Sequence, residues 1–203
     1  MKIICIGRNY AEHAKELNNP LPTEPVYFLK PDTALLPAGN PFYIPDFTND
    51  LHFECELVYK IKKVGKNIPL KFAKDYYSEV SLGIDFTARD IQEKCKSNGL
   101  PWEKAKGFDN SAPLGQRFIP TEQFQNQPIA FHLLKNGERV QHGDTSQQIF
   151  NIDHIISYIS QFITLKTGDL IYTGTPAGVG PVAIGDHLEG FIGEEKILDL
   201  QIK

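Results

Sequence analysis

Long apolar runs are missing from this chain of 203 residues. No stretch approaches the roughly 20 apolar residues that a membrane-crossing helix needs, and the opening Ile3-Ile4-Cys5-Ile6 is too short for a secretory signal. A cytoplasmic protein with no membrane contact is expected. Clustered basic residues are missing as well: the formal net charge is -4 and no segment is dominated by Lys or Arg, so nucleic acid is not an expected partner. Cysteine is scarce. Cys5, Cys55 and Cys95 form no C-x-x-C and none sits beside a histidine, which argues against a disulfide scaffold, a zinc site or a thiol redox centre and for reduced, buried thiols. Internal repeats and low-complexity segments are absent too. What is left is a globular chain, most economically one domain over 1–203, long enough to hold a concave site for a small molecule.

The stretch His52-Phe53-Glu54-Cys55-Glu56-Leu57-Val58 reads as one strand with apolar residues on one face and two glutamates on the other. Glu54 and Glu56 then stand about 7 Å apart along the strand. In water this is an ordinary solvated face. In a sheltered place two such carboxylates need a cation to stay ionised. The next apolar run, Val80 to Ile84, delivers Asp85 where a strand gives way to a helix. Glu54, Glu56 and Asp85 together would give a hard cation such as Mg²⁺ the few oxygen ligands it takes from a protein. The bland counterpart of this reading is a structural metal module without turnover.

Along the chain, a strand over Ile3–Ile6 leads into a short helix from about Tyr10 to Leu17, with Asn9 and Glu12 spaced as a capping box. On that helix His13 and Glu16 are neighbours, either a surface pair or a general base oriented by a carboxylate. The proline-dense segment from Leu21 to Ile44 predicts loops with at most one edge strand, at Val26–Leu29. Lys30 at its end is a snorkelling surface lysine or an anion-binding group. Thr87 reads as the N-cap of a helix over Ala88–Ser97 ended by Asn98-Gly99, and the free N–H groups of its first turn would face the Asp85 region. Lys106, beside Gly107, is a surface loop residue or a ligand contact. Asn136-Gly137 predicts a hairpin pairing Phe131–Leu134 with Arg139–Gln141, and the apolar positions from Ile152 to Ile163 predict a helix with one apolar face, begun by Asn151 and ended near Thr167-Gly168. Thr173 to Pro181 is dense in glycine and suits close backbone approach to an anion, but it is neither a P-loop nor a dinucleotide-binding turn.

Taken together, Gly7-Arg8-Asn9-Tyr10, Phe28-Leu29-Lys30-Pro31, His52 to Leu57, Asp85 with Thr87-Ala88-Arg89-Asp90, Ala105 to Asp109 and Thr173-Gly174-Thr175-Pro176 resemble the fumarylacetoacetate hydrolase family over nearly the whole chain. The nearest pattern is that of its short acylpyruvases, some of which decarboxylate oxaloacetate. The resemblance implies an α+β, β-rich fold, a mixed β-sandwich roll with peripheral short helices, commonly dimeric. It implies Glu54, Glu56 and Asp85 as ligands of Mg²⁺ or Mn²⁺, His13 and Glu16 as a dyad on a lid, and Lys106 as the active-site lysine. Arg8, Lys30, Gln92 and Thr175 then line the site of a small 2-oxo acid. The implied reaction is hydrolytic C–C cleavage of acylpyruvates releasing pyruvate, with oxaloacetate decarboxylation beside it. Isomerases and hydratases of 2-hydroxymuconate-type acids share the same metal set, so isomerisation is the alternative.

Overall fold

The Ile3–Gly7 strand is apolar on both faces because both faces are covered. Ile4 and Ile6 join the main core, whereas Ile3 and Cys5 pack with Val58, Leu170 and Tyr172 against Ala34 and Ala112. In this computed structural model, residues 1–16 and 21–203 are described, with the side chains of residues 13–15 outside the described set. His13 therefore lies on the helix Ala11–Glu16 with its side chain outside the described residues.

The Ile3–Gly7 strand lies inside a six-stranded sheet. Its order is Val26–Lys30, Ile3–Gly7, Leu170–Tyr172, Cys55–Ile61, Tyr77–Ile84, Ile119–Pro120. The Ile3–Gly7 to Leu170–Tyr172 pair is parallel and the other pairs are antiparallel. A four-stranded antiparallel sheet of Glu138–Asp144, Ala130–Lys135, His187–Ile192 and Glu195–Gln201 packs on it. Gly190 marks the contact, since a Cβ there would stand 2.9 Å from Leu82 Cδ2 and 3.2 Å from Leu198 Cβ. A small third sheet joins Gly180–Pro181, Leu51–Phe53 and Thr87–Ala88. The architecture is mixed α+β, strand-rich, with few short helices, as expected. No helix among the described residues is long and apolar enough to cross a membrane.

Several local expectations hold. The Asn136-Gly137 turn has both residues at positive φ, 54° and 83°, and pairs Leu134 with Arg139 and Leu133 with Gln141. Val26–Lys30 is indeed an edge strand, although Leu35–Leu36 forms a second short strand by pairing with Ala112–Pro113. Asn151 caps its helix by accepting from the His154 N–H.

Other expectations are corrected. The expected single strand over His52–Val58 is two, Leu51–Phe53 and Cys55–Ile61, because the chain changes sheets at Glu54. There the Glu54 C=O accepts from the Asp85 N–H and the Cys55 N–H donates to Gln141 Oε1. The helix begun by Ile152 stops at Ile159 rather than near Thr167-Gly168, since the Ser160 carbonyl and hydroxyl take the N–H groups of Asn67 and Ile68 and draw the chain aside. Asn9 does not cap. Its carboxamide donates to the carbonyls of Phe150 and Thr173 and accepts from the Phe150 N–H. Thr87 does not cap either, because its hydroxyl donates to Glu54, and the Arg89 N–H at that helix start is taken by the Asp50 carbonyl.

Candidate active site

Sheet switching at Glu54 and the strand end at Ile84 bring three carboxylates to one cleft. Glu54, Glu56 and Asp85 are all buried, and each offers an oxygen within 4.8 Å of the others. Glu54 is fixed from two sides: Oε1 accepts from Thr87 Oγ1 at 2.9 Å and Arg89 Nη2 at 2.8 Å, and Oε2 accepts from Lys106 Nζ at 2.9 Å. Glu56 accepts from the Gly174 N–H at 2.7 Å. Burial, then the neighbouring charges of Asp85 and Glu54, push its carboxyl well above the usual glutamate range. Asp85 Oδ2 accepts from Lys106 Nζ at 2.7 Å. Its Oδ1 lies 2.7 Å from Lys30 Nζ yet has no partner in hydrogen-bond geometry, so a buried lone pair is left over.

Lys106 closes the helix Glu103–Lys106 and is 3% exposed. Burial alone would lower its pKa. Asp85 and Glu54 together outweigh that and hold the ammonium above its ordinary range. Lys30 is also buried and approaches Asp85 while donating to Ser111 O, Ser111 Oγ and Phe86 O. Its ammonium, expected to line the substrate site, is engaged with Asp85 and with the Phe86 and Ser111 backbone.

Arg8, Gln92 and Thr175 do line the cleft, together with Phe28, Arg89, Lys96 and Trp102. Arg8 holds a left-handed backbone, φ 59°, which the locked Asn9 next to it sustains. Thr175 is committed to the frame: its hydroxyl donates to Cys55 O and accepts from Gln141 Nε2. Gln92 Oε1 accepts from Arg89 Nη1 at 2.7 Å. Glu16 reaches back from its helix to accept from the Gly178 N–H at 3.1 Å. The glycine-dense segment thus holds two carboxylates of this chain, through Gly174 and Gly178.

Gly174 shows how tightly this region is built. It sits at φ +95° and a Cβ would fall 2.7 Å from Asn9 Cβ. Gly174→Ala is expected to lower stability by roughly 1–3 kcal/mol, the cost of a strained backbone and an overpacked contact. It should also weaken divalent-cation binding, because the N–H that orients Glu56 moves. Denaturant unfolding with and without Mn²⁺ checks both effects, and a variant with native stability would contradict the packing.

Arg89, Lys96, Phe28 and Trp102 were not expected to line the site from their sequence context. The signal for the first two was present: residues 89, 92 and 96 recur at helical spacing and share a face. The aromatic pair carries no such signal, because Phe28 and Trp102 meet only in the fold, at 6.0 Å between ring centroids.

The donor set suits a cation. It is all oxygen, buried and gathered within reach of one point, the environment of a hard divalent ion such as Mg²⁺ or Mn²⁺. A second group, His187, Glu189 and Asp199, is half-exposed and already compensated by Lys196, 3.1 Å from Glu189 and 2.8 Å from Asp199.

Comparisons with known proteins agree with this geometry. The family profile "Fumarylacetoacetate (FAA) hydrolase C-terminal" matches residues 2–201. "Oxaloacetate tautomerase FAHD1, mitochondrial" of Mus musculus is 50% identical over 192 residues, 94% of this chain and 86% of that protein. "Oxaloacetate decarboxylase, mitochondrial" of Dictyostelium discoideum is 46% identical, covering 93% of this chain and 87% of that protein. The solved structure of fumarylpyruvate hydrolase from Pseudomonas aeruginosa in complex with Mn²⁺ and pyruvate is 37% identical and superposes with a TM-score of 0.93 over 100% of this chain and 89% of that one. With its profile, its relatives and its buried carboxylate cleft in accord, this chain belongs to the fumarylacetoacetate hydrolase family.

Proposed function

We propose that the chain is a divalent-metal-dependent enzyme for small 2-oxo dicarboxylic acids, oxaloacetate foremost, working through an enolate. The observation that carries this reading is the buried Glu54, Glu56 and Asp85 set, whose oxygens converge within 4.8 Å of one another and whose Glu56 carboxyl is crowded by the other two. These three residues would hold Mg²⁺ or Mn²⁺, which when bound supplies positive charge where the enolate oxygen develops.

The rest is done by the chain itself. Four cationic side chains, Arg8, Arg89, Lys96 and Lys106, face three carboxylates in the cleft. Counting a divalent ion, the formal balance is +3, a site for a dianion. Lys106 keeps Glu54 and Asp85 in place and adds a fixed charge beside the reacting oxygen, at no reorganisation cost during reaction. Phe28 and Trp102 wall the cleft and limit water. We assign His13 the proton transfer. Keto–enol exchange of oxaloacetate removes one proton from the carbon next to the keto group and places one on the keto oxygen, and a neutral imidazole takes the first. Glu16 positions that imidazole. Decarboxylation of oxaloacetate instead gives the enolate of pyruvate by loss of carbon dioxide, a step that needs no base, and that enolate then takes up a proton at carbon.

Hydrolysis of acylpyruvates is a second reading, favoured by the Mn²⁺ and pyruvate in the Pseudomonas aeruginosa neighbour. In it His13 takes a proton from water as that water attacks the distal carbonyl, and the pyruvate enolate leaves. A panel separates the readings: chelated protein reloaded with Mg²⁺ or Mn²⁺, presented with enol oxaloacetate, acylpyruvates and 2-hydroxymuconate-type acids. Oxaloacetate is expected to turn over fastest. Turnover confined to the muconate-type acids would move the chain to the isomerases, and turnover of none would overturn the enzymatic reading.

A further inference from the structure

We propose that Lys96 is the residue that selects a second carboxylate on the substrate, an assignment that rests on the 2-oxo acid reading above. Arg89, Gln92 and Lys96 project from one face of the helix Arg89–Ser97, at spacings of three and four residues. They run from the cleft floor to its mouth: Arg89 and Gln92 are buried, 7% and 4% exposed, and Lys96 is exposed.

The cations of the cleft divide into two kinds. Arg89 and Lys106 are engaged with Glu54 and Asp85. Arg8 and Lys96 have no carboxylate within ion-pair distance among the described residues. Lys96 Nζ is held 5.8 Å from the Trp102 ring centroid, a cation–π contact that keeps the head at the cleft rim. Partial burial, then repulsion from Arg89 and Arg8, lowers the pKa of this ammonium below the ordinary lysine value. An anion bound between these cations relieves that repulsion.

A 2-oxo acid with its keto end among the buried carboxylates directs any further carboxylate outward, toward Lys96. A monocarboxylic 2-oxo acid has nothing there to contact. Lys96 therefore discriminates dianions from monoanions and leaves the keto end to other residues.

Calorimetric titration of the Mg²⁺-loaded protein with 2-oxoglutarate, a stable dianion, and pyruvate, a monoanion, tests this without turnover. In Lys96→Met the dissociation constant for 2-oxoglutarate should rise about tenfold, the effect of losing one partly desolvated charge contact. That for pyruvate should stay within about twofold, and Lys96→Arg should restore the dianion preference. Equal weakening of both acids, no change in either, or a native protein with no dianion preference would overturn the assignment. Steady-state kinetics with oxaloacetate then separate the two claims: a Lys96-dependent dianion preference without oxaloacetate turnover retains the Lys96 role and overturns the activity reading.

Discussion

Glu56→Gln is expected to abolish divalent-cation binding and to reduce turnover of oxaloacetate by about 10³-fold or more, while the metal-free protein folds as stably as the native one or more so. The activity loss follows from removing one of three carboxylate ligands from an all-oxygen site, and with it the charge stabilisation of the enolate. Unchanged or improved stability follows from the position of Glu56. It is buried between Asp85 and Glu54, and its carboxyl is already pushed toward the protonated form. An amide of the same shape removes that repulsion and keeps an oxygen for the Gly174 N–H.

The sign of the pH dependence is set by the same shift. With the folded pKa raised, the folded state holds a proton that the unfolded chain has released, from the ordinary glutamate range upward to the raised value. Stability of the metal-free native protein should therefore be full below that range and decline as pH rises through it. Glu56→Gln should flatten this slope. Cation binding displaces the proton, so metal affinity should rise with pH. Thermal melts across pH with and without Mn²⁺ provide the check. A variant that keeps native Mn²⁺ affinity, or melts much lower without metal, would contradict this account of Glu56.

Lys106→Met and His13→Ala should fail differently. Lys106 touches both Glu54 and Asp85 and supplies fixed charge at the reacting centre, so its loss should slow tautomerisation, decarboxylation and acylpyruvate hydrolysis together. The expected loss is about 10²–10³-fold, that of removing one preorganised donor. In the proposed mechanism His13 moves a proton only where a base is needed. His13→Ala should slow tautomerisation and acylpyruvate hydrolysis by about 10²-fold or more and slow oxaloacetate decarboxylation far less. Equal losses of all three activities in the His13 variant would show that it has no special part in proton transfer.

The sequence made the carboxylate cleft readable because its members lie on short-range patterns. Glu54 and Glu56 stand two residues apart, so the alternation read for one strand points to one side even though the strand breaks at Glu54, and Asp85 directly follows the strand that pairs with Cys55–Ile61. The Asn136-Gly137 hairpin and the Asn151 cap were readable for the same reason, since each is decided by residues within a few positions. What was misread depends on distant partners. Asn9 and Thr87 have the composition of helix caps, but residues 141 and 33 positions away take their side chains. Lys30 reads as a snorkelling surface lysine or an anion-binding group, and the choice between them is made by distant partners, Asp85 and Ser111, which draw it fully inside. The strand break at Glu54 is set by Gln141, which takes the N–H of Cys55 from 86 residues further along the chain. Local propensity decides where an element starts when nothing competes for its polar groups. In this site tertiary hydrogen bonds compete and win.

The central claim is that one divalent cation, held by Glu54, Glu56 and Asp85, is required for chemistry on a 2-oxo dicarboxylic acid. It is tested most directly by titrating Mn²⁺ into chelated protein while following the decay of enol oxaloacetate by its ultraviolet absorbance. The account predicts negligible catalysis without metal and a rate that saturates at one Mn²⁺ per chain. A rate indifferent to metal, or one that saturates at another stoichiometry, would contradict it.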